Sequence, residues 1–260
     1  MTQETHRRGW LTGALALTGG LMLSACNKIT ESPKGAAVLK SAEGLTRRAQ
    51  RVVMGDRRSL AREFSPADIS PDFKANGSTN PQDADYVAQV AKNFADYRLV
   101  VDGLVEQPLS LSLADLRKLP ARTQITRHDC VEGWSSIGKW TGARLAPILD
   151  QAKLKPNARY IVLHCADTLD PTTLDGTGQY YESIDLIDAY HPQTILAYDM
   201  NDRPVPIPHG APLRLRVERQ LGYKQAKYIM RIEAVNDLKH LGRGAGGFWE
   251  DRGYEWYAGI

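Results

Sequence analysis

The stretch Leu196-Ala197-Tyr198-Asp199-Met200-Asn201, followed by Pro204-Val205-Pro206 and then His209-Gly210-Ala211-Pro212-Leu213-Arg214, decides how this chain is read. Residues 194–198 and 204–207 have strand character and flank Met200-Asn201-Asp202-Arg203, which predicts a hairpin turn. Residues 213–218 read as a further strand. Alternation there puts Arg214, Arg216 and Glu218 on one face, opposite Leu213 and Leu215. Such a face meets either water or a buried polar ligand, and alternation alone does not separate the two.

Working outward, residues 98–103 are strand-like and end at Gly103. Ser112, with Asp115 three residues on, predicts the N-cap of a short helix. Residues 123–127 read as a strand running into His128-Asp129-Cys130, and residues 145–152 have helical spacing. Residues 160–164 and 228–235 are buried-strand candidates. Ser183 is expected to cap a helix through Tyr190, which stops before His191-Pro192. Residues 63–83, punctuated by Pro66, Pro71, Gly77 and Pro81, read as irregular backbone. Strands and short helices mix without regular βα alternation, so the fold class is α+β with mixed sheets.

Composition bounds the rest. The chain has 260 residues, 42% hydrophobic, 24% charged and 8% aromatic, an ordinary globular profile with enough length for a sizeable core. Lys+Arg is 33 against Asp+Glu 30, a formal charge of +3, too mild to argue for nucleic acid. Three cysteines without a CxxC or CxxCH exclude covalently attached haem, zinc ribbons and a disulfide scaffold.

The N-terminus looks like an address. Arg7-Arg8 precedes an apolar, glycine-rich stretch that ends in Leu23-Ser24-Ala25-Cys26. The arginine pair resembles a twin-arginine export signal, a route for proteins exported already folded around a cofactor. Leu23 to Cys26 resembles a lipoprotein box, with Cys26 as the lipid anchor. Residues 1–25 are therefore expected to be the signal, 26–60 a tether with a short helix around 44–53, and 61–260 the functional domain. Nothing later approaches the roughly 18 apolar residues of a membrane span. The expected location is periplasmic, tethered by lipid.

Cys130 sits in Arg127-His128-Asp129-Cys130-Val131-Glu132-Gly133-Trp134, where cationic neighbours favour a thiolate and Asp129 opposes it. On residues alone it is a reactive or metal-ligating thiol, an inert buried thiol, or a disulfide partner of Cys165. The ordered set Cys130, Tyr180, His209, Arg214 and Lys224, with the Leu196–Arg214 signature, resembles the molybdopterin-binding domain of the sulfite oxidase superfamily over roughly residues 64–235. The resemblance implies that the Cys130 thiolate ligates molybdenum beside the pterin dithiolene, a soft donor for a sulfur-held metal. It implies cofactor contacts from Asn76 (in Phe73-Lys74-Ala75-Asn76), His209, Arg214 and Gly222-Tyr223-Lys224, the last as a backbone-plus-cation site for the pterin phosphate. It implies Tyr180 as the active-site hydroxyl, with Arg127 or His128 orienting substrate and moving protons.

Three departures shape the functional expectation. Members that oxidise sulfite place Arg where this chain has Ala75, which puts sulfite in doubt. The sequence stops at Ile260, with no room for a C-terminal dimerisation domain, so a monomer is expected. An Asn-Asn-rich segment of the family's periplasmic protein-methionine-sulfoxide reductases is not found. The main expectation is a molybdenum-molybdopterin oxidoreductase that performs two-electron oxo transfer on a small substrate and exchanges electrons with a cytochrome, such as a membrane cytochrome b. The alternatives are a sulfoxide reductase, methionine sulfoxide included, on the same fold, and a non-catalytic binding lipoprotein. The aromatic, Gly-rich tail from Gly242 to Tyr257 is expected either to pack under the domain or to form a rim.

Overall fold

The computed structural model describes residues 32–53, 59–173 and 175–260. The chain divides into two units, Met1–Val53 and Met54–Ile260. The twin-arginine pair and Cys26 lie outside the described residues. Within the first unit, α1 runs over Pro33–Val53. It is 21 residues long, so most of the expected tether is helical rather than irregular. The reason is composition: Ala, Leu, Lys, Arg and Gln fill the segment, and their high helix propensity outweighs the weak apolar period. Among the described residues no helix is long and apolar enough to cross a membrane.

The second unit is built on two five-stranded sheets. The first has β2 (Leu109–Leu111), β1 (Leu99–Gly103), β10 (Ile229–Val235), β5 (Tyr160–Thr168) and β6 (Gln179–Asp185), in that order. Among the described residues only β1 and β10 pair in parallel. The second has β3 (Ala121–Asp129), β4 (Ser135–Arg144), β7 (Ile195–Met200) and β8 (Arg203–Pro204), with β9 (Arg214–Arg216) on the other edge of β7. The short helices are α2 (Ala84–Ala91), α3 (Leu113–Lys118), α4 (Leu145–Ala152) and α5 (Leu186–Ala189). This is the expected α+β mixture, and Leu99, Val101, Ile161, Leu163, Ile184, Ile232 and the apolar face of α4 share one core.

Local chemistry explains where the elements begin and turn. Ser112 caps α3 through the expected reciprocal box with Asp115. Asn201 and Asp202 both adopt left-handed backbone, with φ of 50° and 63°, so β7 and β8 are joined by a two-residue turn of the twist that strands favour. Ser183 is not a helix cap. It lies inside β6, its hydroxyl donates to the Gly246 carbonyl, and Asp185 caps α5 instead. Burial on both faces keeps residues 180–184 in the sheet.

Candidate active site

Cys130 stands at the tip of the β3–β4 hairpin. Its N–H donates to the Trp134 carbonyl at 2.9 Å, and its carbonyl accepts from Gly133 at 3.0 Å. The tight turn thus holds the thiol at one wall of a cleft. The loop after Phe73 adds Asn76, Gly77 and Ser78, and β5 and β6 add Asp167 and Tyr180. The 3₁₀ turn at Gly222–Lys224 and the chain behind it add Gly222, Tyr223, Gln225 and Lys227. Trp249 and Tyr254 stack on each other at 5.2 Å and close the rim.

Five of the expected site residues therefore share this cleft: Asn76, Cys130, Tyr180, Gly222 and Tyr223. Cys130 and Cys165 are both free thiols, and Cys165 is fully buried, so the disulfide alternative fails. Burial pushes the Cys130 thiol up, and Glu132 adds to that by like charge. The activation expected from Arg127 and His128 is absent from its surroundings. A bound metal remains able to deprotonate it, since coordination removes the proton from a thiol. Among the described residues, no group of three or more His, Cys, Asp or Glu side chains is placed to hold a metal.

Arg127 and His128 do not line the cleft. Strand alternation is the reason: Gln124, Thr126 and His128 face the interior, and Arg127 points the other way. Arg127 pairs with Asp129 at 2.8 Å in a separate surface groove with Leu60, Arg62 and Phe64. His128 is fully buried, and burial followed by Arg216 and Arg214 holds its pKa well below the usual histidine range. Arg216 donates to its Nδ1 at 3.1 Å, so the neutral ring carries its proton on Nε2. That Nε2 has no hydrogen-bond partner, and it faces Gly222, where any Cβ would collide with the imidazole.

The lysine assignment also changes. Lys224 is fully buried and its Nζ lies 2.5 Å from both Glu182 and Glu250. It is turned away from the cleft and already neutralised. Lys227, which the sequence reading passed over, is the lysine that lines the cleft. Its Nζ donates to the carbonyls of Asn76 at 2.6 Å and Pro208 at 3.0 Å, and to Ser78. Burial and then Arg214 push its pKa down to about 7. Gly210, at φ 110°, is the residue that lets Lys227 pass, since a Cβ there would come within 2.9 Å of the lysine stem.

His209 and Arg214 sit one layer behind this wall. Arg214 is fully buried and over the Trp140 ring, so its face of β9 meets the interior and not water. It donates to the carbonyls of His209 at 2.9 Å and Gln225 at 3.4 Å, and its Nε has no partner. Arg216, two residues on, has Glu218 as a buried ion-pair partner at 2.6 Å. Arg214 has no such partner among the described residues, and burial with Arg216 beside it pushes its pKa down to about 9. His209 packs edge-on against Phe73 with its Nδ1 unpartnered, and burial pushes its pKa down to about 4.

These orphaned groups define what fits. Two buried basic side chains, Arg214 and Lys227, spend their hydrogen bonds on neutral carbonyls while the Glu218 and Asp167 carboxyls act on them only through space, and unsatisfied atoms of His128, His209 and Gln225 lie with them. Buried charge left in that condition is costly, so an anionic ligand rich in hydrogen-bonding atoms would relieve it. The cleft adds two carboxyl groups, from Glu132 and Asp167. Asp167 is 3% exposed with Oδ1 unpartnered, and burial pushes its carboxyl up to about 7. Tyr180 donates its hydroxyl proton to the Tyr223 carbonyl, which ties β6 to the 3₁₀ turn. The C-terminal tail does both things expected of it: Trp249 and Tyr254 form rim, and Trp256 packs at 5.2 Å over Lys224.

Comparison with known proteins identifies the family. The family described as the oxidoreductase molybdopterin binding domain matches residues 86–240. A protein of Azospira oryzae named as a protein-methionine-sulfoxide reductase subunit, YedZ1, is 34% identical over 256 residues, 97% of this chain and 87% of its own length. The protein-methionine-sulfoxide reductase catalytic subunit MsrP of Campylobacter jejuni is 32% identical over 156 residues, 57% of this chain and 52% of that protein. This chain thus spans about half the length of the second relative. Sulfane dehydrogenase SoxCD from Paracoccus pantotrophus superposes with a TM-score of 0.48 at 23% identity, covering 55% of this chain and 39% of that one.

Proposed function

The chain belongs to the molybdopterin-binding oxidoreductase family of the sulfite oxidase superfamily, and from that premise we propose that it is a sulfoxide reductase whose substrate is oxidised methionine. It is a molybdenum-cofactor oxidoreductase, and the cofactor when bound supplies two-electron oxygen-atom transfer. The observation that carries the substrate class is the lining of the cleft that holds Cys130, which includes the Glu132 carboxylate and, among the described residues, no arginine. That carboxylate opposes an anion such as sulfite, and Ala75 stands where sulfite-oxidising members have Arg. A neutral sulfoxide meets no such repulsion. Its reduction consumes two electrons and two protons and gives a thioether and water. Both relatives above bear names that assign them to methionine-sulfoxide reductases, which supports this direction.

The chain's residues then divide the work. The Cys130 thiolate holds the metal. Arg214 and Lys227 supply buried positive charge for the anionic cofactor, and His128, His209 and Gln225 supply hydrogen-bonding atoms. Lys227 replaces Lys224 in that role. Asp167 holds a proton at a cleft-facing carboxyl that stays protonated up to about 7, the condition for a general acid at neutral pH. Tyr180 is a positioning residue, since its hydroxyl proton is committed to Tyr223. Trp249 and Tyr254 offer aromatic faces to a sulfur-bearing side chain. Export by Arg7-Arg8, a lipid on Cys26, a periplasmic location and a cytochrome electron donor complete the proposal.

The test is turnover by the holoenzyme with a reduced viologen dye and N-acetyl methionine sulfoxide, set against sulfite oxidation with an acceptor dye. The expected result is dye oxidation with the sulfoxide and negligible sulfite turnover. Sulfite turnover exceeding sulfoxide turnover would overturn the reading. Asp167→Asn is expected to lower kcat roughly a hundredfold while molybdenum content is kept.

A further inference from the structure

The helix α1 (Pro33–Val53) presents its apolar residues to solvent. Leu45, Val52 and Val53 are 65%, 81% and 83% exposed, and Ala42 and Ala49 are exposed with them. At 100° per residue these five positions fall within an arc of roughly 100°, one continuous stripe. Arg47, Gln50 and Arg51 are less exposed than these, while Lys34, Ser41, Glu43, Thr46 and Arg48 are exposed too. Three large aliphatic side chains in one exposed stripe are more than a helix needs to stay in water.

Charge says what the stripe meets. The helix sequence holds Lys34, Lys40, Arg47, Arg48 and Arg51 against a single acid, Glu43. Lys34 and Arg48 are exposed, and Arg48 borders the stripe on the helical wheel. An apolar stripe in a strongly basic helix matches an anionic bilayer surface, into which the apolar side chains sink while the Lys and Arg heads reach phosphate. A protein groove would need acidic side chains around an apolar floor, whereas a phospholipid surface provides both everywhere.

We propose that α1 lies in the interface of an anionic phospholipid membrane and docks the enzyme there through Leu45, Val52 and Val53. This goes beyond the proposed lipid on Cys26 and does not depend on it. The two devices suit each other, because one chain or one weak helix alone gives only marginal, reversible attachment. Cys26 precedes Pro33 by seven residues, a reach of roughly 25 Å, so a lipid there would leave the helix close to the surface.

The test uses holoenzyme beginning at residue 26 with Cys26→Ser, so that neither leader nor lipid contributes. It is sedimented with phosphatidylcholine vesicles that contain or lack about one-third phosphatidylglycerol. The expected result is binding to the anionic vesicles alone, weakened by high salt. Leu45→Asp/Val52→Asp is expected to lower the partition coefficient roughly tenfold or more, with dye-linked turnover in solution unchanged. Lys34→Glu/Arg48→Glu, which leaves the apolar stripe intact, is expected to remove the preference for anionic lipid. No binding by the parent protein would overturn the proposal, and so would equal binding by the Leu45/Val52 variant. Self-association that the Leu45/Val52 variant abolishes, without vesicle binding, would assign the stripe to a second copy and overturn it too. Acylation of Cys26 is read separately, by the mass of the exported wild-type protein.

Discussion

Replacing Lys224 by Met separates a structural lysine from a cofactor-binding one. Lys224, Glu182 and Glu250 are all buried, and each carboxylate contacts the ammonium at 2.5 Å. One cation cannot balance two buried carboxylates. Burial and then Glu250 hold the Glu182 carboxyl well above its usual range, so Glu182 keeps its proton and the triad is neutral. Lys224→Met leaves Glu250 uncompensated. Removing one partner of a buried pair costs about 3–5 kcal/mol. In a domain of this size that lowers Tm by roughly 6–20 °C. Glu182→Gln should behave differently. A carboxyl whose pKa is raised by folding destabilises the fold as pH climbs past its usual value of 4.5, because only the folded state keeps the proton. The cost grows by about 1.4 kcal/mol per pH unit until the folded carboxyl itself ionises. Gln carries no such cost. The variant should match wild type near pH 5 and exceed it at pH 7. Urea unfolding of cofactor-free protein at both pH values, read by tryptophan fluorescence, measures this. The reasoning fails if Glu182→Gln at pH 7 loses as much stability as Lys224→Met. It also fails if Lys224→Met unfolds like wild type yet loses molybdenum.

Three further outcomes are expected. Lys227→Met should lower molybdenum per chain several-fold and speed amide exchange at residues 76–78, whose carbonyls it now binds; full molybdenum occupancy would exclude it as a cofactor residue. Cys130→Ser should lose molybdenum or turnover while cofactor-free protein keeps its stability within about 0.5 kcal/mol, as metal analysis and urea unfolding will show. His191 accepts from the Gln193 N–H at Nδ1 and faces the Ser59 carbonyl with Nε2, so protonation would put two donors face to face. Burial and then Arg219 push its pKa down to about 4. The unfolded chain therefore takes the proton first, and stability should fall between pH 6.5 and about 4, by at most about 3 kcal/mol. His191→Asn should flatten that part of an acid-unfolding profile, and an unchanged slope would refute the assignment.

Elements whose cause is local were legible from the residues alone. The Ser112–Asp115 box, the Asn201-Asp202 turn and the limits of α4 follow from caps, turn residues and period, and the structure has all three. The α+β class followed from the irregular order of strands and helices. What failed depended on contacts far along the chain. Ser183 looks like a helix cap until Gly246, sixty-three residues away, takes its hydroxyl and β5 pairs along its strand. Arg127 is near Cys130 in sequence, yet strand parity sends it to another surface. Asp167 and Glu132 carried no signal of their own, since their meaning comes from the cleft they share with Cys130.

The two lysines show most sharply where a motif stops being informative. Gly222-Tyr223-Lys224-Gln225-Ala226-Lys227 holds both, three residues apart, and either satisfies the statement that a cation follows the Gly-Tyr pair. The 3₁₀ turn ends at Lys224, and the chain then straightens into β10, so the two side chains leave in different directions. What distinguishes them is the counter-charge each one meets. Lys224 finds two carboxyl groups, one from β6 and one from the C-terminal segment, and the pairing is complete without a ligand. Lys227 finds only carbonyls within bonding distance, with the Asp167 carboxyl acting through space, in a wall shared with an Arg214 that has no ion-pair partner among the described residues. A buried cation with its charge unmatched is retained where a ligand supplies the missing charge. By that criterion Arg214 and Lys227 are the better candidates for cofactor residues than Lys224, and the Lys224→Met and Lys227→Met variants separate the two assignments.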